Sequence, residues 1–226
     1  MVIPSKTFKH DFKETPLLEQ INREDGSRVY RTPNGNFYPS VTHILGQLPN
    51  KGLEVWKKRV GANKAAAISK AATDRGSLLH SIAESYLKNK PLEFVNPFQK
   101  ELFSKIKTTL NSIDNIKTIE KSLYSNKLRL AGTPDCIGDY GNVLSVIDFK
   151  TSTRIKEEKY IGNYFMQCGA YAIMYEELFG IRPEQSVIII AVEESNVPQV
   201  FKKDSTECFY MLRDYVAKLN QHRRSA

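Results

Sequence analysis

Cysteine is scarce in this chain. The three present, Cys136, Cys168 and Cys208, stand far apart and form no Cys-x-x-Cys pair, which excludes a disulfide framework and a clustered-thiolate zinc or iron-sulfur centre. Such usage fits a reducing interior. No apolar run approaches the roughly 18 residues that a membrane span requires. The opening MVIPSKTFKHDFKETPLLEQ lacks the apolar core of a secretion signal, and Asp11 and Glu14 speak against a mitochondrial presequence, so a cytoplasmic setting is expected. Acidic residues are in deficit as well: 25 Asp and Glu face 33 Lys and Arg, giving a formal charge of +8 and a pI near 9.3. A basic surface of this kind meets polyanions, either nucleic acid or an anionic membrane. Internal repeats and low-complexity tracts are absent. What the chain does have is 41% apolar residues over 226 positions, enough to bury a sizeable core and to exclude disorder of the whole.

Proline and glycine punctuate residues 1–52 and predict loops, short strands and one brief helix. LEVWKKRVGANKAAAISKAA, from Leu53, predicts two helices or one kinked helix with the interruption near Gly61 and Asn63. A separate helix is expected over about 76–87. Phe98, Leu102, Ile106 and Leu110 recur at helical spacing and predict another over about 97–113. IKTIEKSLYS, LRLAGTPDCIGDY and NVLSVIDFKTS read as three strands, followed by a long helix over about 155–178. SVIIIAV, residues 186–192, has the continuous apolar composition of a strand covered on both faces, and its place after a helix predicts a parallel crossover. PQVFKK adds an edge strand. A final helix over about 205–219 carries Phe209, Leu212, Val216 and Leu219 on one stripe. The fold class is α/β: a mixed central β-sheet flanked by helices, with a mostly helical N-terminal elaboration.

Gly141-Asn142 reads as a two-residue hairpin turn, which sets Tyr140 opposite Val143. Counting back in that antiparallel register brings Asp135 opposite Asp148 and Thr133 opposite Lys150. Opposed side chains have β-carbons about 4.5–5.5 Å apart, and like charges there destabilise a sheet unless a cation sits between them. Asp148 and Lys150, two apart on a strand, share a face, so an ammonium group stands beside the cation site. Phosphodiester hydrolysis uses this combination: Mg2+ or Mn2+ on oxygen ligands neutralises the phosphate and activates water, while a lysine stabilises developing charge. A lone Asp-x-Lys is far more often an exposed ion pair. His80 and Glu84, four apart on a helix, share a face that could add a ligand, and Gln167 and Tyr171 likewise present an amide and a phenol together.

In these residues the chain resembles the RecB-type branch of the PD-(D/E)xK nucleases, whose motifs run helix histidine, strand glutamate, G-x-x-D, D-x-K and Q-x-x-x-Y. Here they are His80, Glu120, the GTPD ending at Asp135, the DFK of Asp148 to Lys150, and Gln167 with Tyr171. YPSVTHILGQLPNKGLEVWKKRVG, followed by RGSLLH, further resembles the mitochondrial genome maintenance exonuclease group and its phage and bacterial relatives. The resemblance implies a restriction-endonuclease-like core that hydrolyses DNA, single-stranded and from a free end, in replication, recombination or degradation. By it, His80, Asp135, Asp148 and the Phe149 carbonyl are metal ligands, Lys150 is the catalytic lysine with Asp135 and Asp148, and Gln167 and Tyr171 are substrate-binding or site-organising residues. Glu120 and Glu84 belong to the wider metal environment. It also points to a bacterial cell or phage-infected host, and divides the chain into an N-terminal loop and helical elaboration over 1–74, a guide for DNA, and a nuclease core over 75–226, in one integrated domain.

Lys57, Lys58, Arg59, Lys64, Lys70 and Arg75 offer charge to track phosphates, although a solvated helix face reads equally well. Tyr160, Tyr164 and Phe165 could stack bases or fill core, Trp56 reads as a buried anchor, and His43 has no partner at ligand spacing. Two competing functions remain: a structure-dependent endonuclease for flaps or branches, and a noncatalytic DNA-binding recombination scaffold.

Overall fold

A computed structural model describes residues 6–49 and 51–225. Its centre is a five-stranded mixed sheet in the order β10-β9-β8-β7-β4, comprising β4 (Ile113–Ile119), β7 (Cys136–Tyr140), β8 (Val143–Ser152), β9 (Gln185–Val192) and β10 (Gln199–Asp204). β8 and β9 are parallel, joined by the crossover helix α5 (Gly162–Phe179), and the other pairs are antiparallel. The α/β class and the parallel crossover are as the apolar run at 186–192 predicts.

Period-two alternation sorts the two cores. Ile147, Phe149, Val187, Ile189 and Ala191 pack against α3 (Ala62–Leu87) and α4 (Pro97–Leu110), while Val146, Ile188, Ile190 and Val192 pack against α5 and α6 (Ser205–Ser225). Asp148 and Lys150 fall on the α5 side by the same alternation. Gly169 lets α5 and α6 close together: a β-carbon there would lie 2.6 Å from the Cys208 backbone.

A second, three-stranded sheet holds β1 (Glu19–Asn22), β2 (Arg28–Arg31) and β3 (Phe37–Pro39), followed by α1 (Val41–Leu45), whose first turn is capped by the Ser40 hydroxyl. A hairpin of β5 (Leu123–Ser125) and β6 (Leu130–Gly132) packs on α5, and Ser40 bridges to Ala131.

Three expectations are corrected. The interruption expected near Gly61 and Asn63 falls at Gly61, whose φ of 84° an L side chain would resist, between α2 (Lys51–Val60) and α3, but the separate helix expected over about 76–87 is part of one unbroken 26-residue α3 with Gly76 inside it. α3 therefore runs straight through positions 74 and 75. The three strands expected over 116–151 are five: Glu120 at φ 50° ends β4, and Thr133-Pro134 separates β6 from β7. The helix expected from 155 begins at Gly162, since the Ile155 and Lys156 amides donate to Glu194 and Gln199 side chains rather than to a helical ladder. No helix among the described residues is long and apolar enough to cross a membrane.

Candidate active site

The β7–β8 register is Tyr140 opposite Val143 through Cys136 opposite Ile147, as the Gly141-Asn142 turn predicts. The ladder stops one residue short of Asp135. In place of a backbone pairing with β8, Asp135 uses its side chain: Oδ2 accepts the Phe149 amide at 2.6 Å, which leaves Oδ1 to face 3.3 Å across to His80 Nδ1. Thr133 leaves the ladder altogether and shares a 2.9 Å hydrogen bond with Ser122, so it does not stand opposite Lys150.

His80 enters from α3. Leu79, Ile82, Ala83 and Leu87 bury one side of that helix against the sheet, which turns the imidazole toward the ends of β4 and β8. Glu120 arrives from the end of β4. Its left-handed φ of 50° and an amide hydrogen bond to the Asp135 carbonyl at 3.1 Å turn the strand, and its Oε1 lies 3.3 Å from His80 Nδ1. Ligand atoms of His80, Glu120 and Asp135 thus all lie within 4.8 Å of one another.

Asp148 lies deeper, 2% exposed. Oδ1 accepts a 2.5 Å hydrogen bond from Lys150 Nζ, and the same ammonium lies at ion-pair distance from Oδ2, which accepts no hydrogen bond among the described residues. The Lys150 ammonium also lies 5.1 Å from the centre of the Tyr164 ring. Gln167 and Tyr171 come from successive turns of α5, with Gln167 Nε2 donating to the Tyr171 hydroxyl at 3.3 Å. Gly132 makes room for that phenol: a β-carbon there would lie 2.8 Å from Tyr171 Cε1.

Charge at the cluster is lopsided toward the acid. Burial disfavours the His80 imidazolium, but hydrogen bonds to Asp135 and Glu120 outweigh it and push its pKa up to about 10. Burial, only partly offset by the Lys150 charge, pushes the Asp148 carboxyl up to about 6. Burial works against the Lys150 charge too, yet Asp148 and Asp135 hold its pKa above the usual lysine range. The His80 imidazole thus sits where the Glu120 and Asp135 carboxylates converge, a donor set of imidazole and carboxylate oxygens that suits a divalent cation.

His80, Glu120, Asp135, Lys150, Gln167 and Tyr171 line one cleft of about 450 Å3 together with Arg28, Tyr30, Ser40, Thr42, Asn163 and Tyr164, and Asp148 lies beneath it behind Lys150. The sequence reading missed Arg28, Ser40 and Thr42 as members. Ser40 and Thr42 stood in the YPSVTHIL stretch, but no spacing connected them to the carboxylates. Other expected members lie elsewhere. Glu84 is engaged by Lys88, the residue that ends α3, and is outside the ligand cluster. Arg75 pairs with Glu193. Lys57 and Lys58 line a separate groove between α2 and α3, and Arg59 and Lys64 are exposed on the same helices. Trp56 is only half-buried, and His43 does not enter the cleft.

No family profile matches the chain. Curated proteins do: it is 26% identical over 203 residues to mitochondrial genome maintenance exonuclease 1 of Xenopus tropicalis, covering 82% of this chain and 57% of that protein. The human protein of the same name is 24% identical over 223 residues, covering 90% and 64%, and the mouse protein 25% over 204 residues, covering 83% and 59%. The chain spans about three fifths of the length of these relatives. It is therefore similar, over most of its own length, to proteins named as exonucleases.

Proposed function

We propose that this chain is a metal-dependent deoxyribonuclease of the PD-(D/E)xK type that removes nucleotides from a free end of single-stranded DNA. The observation that carries the reading is the convergence of His80, Glu120 and Asp135 at ligand distance beside the buried Asp148–Lys150 pair. The exonuclease names of its relatives support it, and the basic surface suits a polyanionic substrate.

His80, Asp135, Asp148 and the Phe149 carbonyl would hold Mg2+ or Mn2+, with Glu120 beside them. When bound, the ion supplies charge neutralisation at the phosphate and an acidified water. Lys150 keeps its proton throughout and places positive charge where negative charge develops on the phosphate. Asp148 aims that ammonium, and Tyr164 limits its swing. Asp135, tied to the Phe149 amide, fixes the spacing between the ligand cluster and the lysine. Gln167 and Tyr171 present a donor and a phenol to the strand on the α5 side. α2 and the outer half of α3, with Lys57, Lys58, Arg59, Lys64 and Arg75, guide DNA toward the cleft, Arg75 doing so from its pairing with Glu193.

The role falls within DNA replication, recombination or degradation. The relatives are named as mitochondrial proteins, so the bacterial or phage setting draws no support from them; the three free cysteines, all buried, fit a reducing compartment.

End-labelled linear single-stranded DNA, circular single strands and duplex are incubated with Mg2+, Mn2+ or EDTA, alongside Lys150→Ala. Loss of the linear strand alone, dependent on metal and abolished by the substitution, is expected. Cutting of circles makes the protein an endonuclease, and binding without turnover makes it a scaffold.

A further inference from the structure

Three cationic side chains line the cleft, and two are already committed. Lys150 holds Asp148, and His80 lies between Glu120 and Asp135. Arg28 is exposed, and its guanidinium makes no ion pair or side-chain hydrogen bond among the described residues. A guanidinium sharing a cleft with carboxylates ordinarily forks onto one of them. Here it does not, and its backbone is anchored on a separate sheet.

Arg28 starts β2, where it pairs with Asn22, and its carbonyl accepts the Ser40 amide at 2.9 Å. Ser40 in turn bridges to Ala131, at the end of the β6 hairpin that leads through Gly132 to Asp135. The first link is internal to the small sheet's edge and the second joins that edge to β6, three residues of chain before Asp135. The Ser40 and Thr42 hydroxyls, 3.2 Å apart, line the cleft on the same segment. A free, planar five-donor fork beside hydroxyls is suited to phosphate oxygens.

We propose that Arg28 is a phosphate-binding residue that grips the bound strand at a phosphodiester next to the one being cleaved, so that the site selects polynucleotide over an isolated diester. This rests on the nuclease reading above. The scissile phosphate has its positive charge supplied by Lys150 and by the cation on the carboxylates; Arg28 comes from a separate sheet and serves the neighbour. It is a positioning residue, and its effect falls on strand binding.

Two measurements test it. In a Lys150→Ala background, affinity for a labelled linear single-stranded oligonucleotide is followed against salt concentration, with and without Arg28→Ala. One phosphate contact contributes about 0.7 to the double-logarithmic salt slope on single strands, so the slope flattens by about 0.7 and affinity weakens roughly tenfold near physiological salt. Arg28→Lys keeps the slope while losing part of the affinity, because charge remains and the fork is lost. In the active protein, Arg28→Ala lowers kcat/KM on the oligonucleotide through KM, at least tenfold more than on a thymidine 5′-phosphate aryl ester that carries a single diester. An unchanged salt slope, or equal losses on the two substrates, overturns the assignment. Failure of the Lys150→Ala protein to bind single strands at all overturns the nuclease reading with it.

Discussion

Glu120 reaches His80 only because its backbone adopts φ 50°, a region that disfavours a side chain with a β-carbon. Replacing it by alanine and by glycine removes the same carboxylate and the same contact to His80, so the two variants differ in backbone cost alone. The left-handed conformation costs an L residue about 1–2 kcal/mol. Glycine escapes that cost but has more freedom to lose on folding, worth about 0.4–1 kcal/mol in the other direction. The balance favours Glu120→Gly over Glu120→Ala by about 1 kcal/mol. For a chain of this size that is roughly 2–4 °C in Tm. Thermal unfolding followed by circular dichroism in EDTA measures the difference, and calorimetric titration with Mn2+ should show that both variants have lost affinity at least tenfold. An alanine variant that melts with or above the glycine variant would refute the idea that this carboxylate is held at a backbone cost, as functional residues often are.

Saturating Mn2+ at a hundred times its Kd should stabilise the wild-type protein by about 2.7 kcal/mol, or roughly 5–11 °C in Tm; Asp135→Asn should lose most of the shift, and a full shift in that variant places the ion elsewhere. Gly132→Ala pushes a β-carbon to within 2.8 Å of the Tyr171 ring and should cost about 1–3 kcal/mol in urea denaturation while lowering nuclease turnover, with wild-type values counting against the packing account. Lys105→Met keeps the buried stem but strips the ammonium that donates to the Val192 carbonyl at 3.2 Å and the Glu193 carbonyl at 2.8 Å. It should cost about 1–3 kcal/mol by chemical denaturation; retained stability shows that water reaches those carbonyls.

The sequence by itself determined the α/β class, the parallel β8–β9 crossover and the hairpin register, because period-two alternation, an apolar run and the Gly141-Asn142 turn are local signals that no distant contact overrides. It also placed Asp148 and Lys150 on one face, which follows from strand geometry alone. Element boundaries were less legible: Gly76 looked like a break and Glu120 did not, although the chain bends at Glu120 and runs straight through Gly76, since hydrogen bonds and packing from elsewhere decide which residues adopt costly dihedrals. Tertiary structure alone decided the composition of the cleft. Glu84 shares a helix with His80, yet its carboxylate turns to Lys88, whereas Glu120, forty residues from His80, faces it. Arg75, in a basic run, is paired with Glu193, and Arg28, in a segment read as loops and short strands, is left free at the cleft. Each of these side chains ends where it does through contacts with residues distant in the chain, and no periodicity within a single element encodes that.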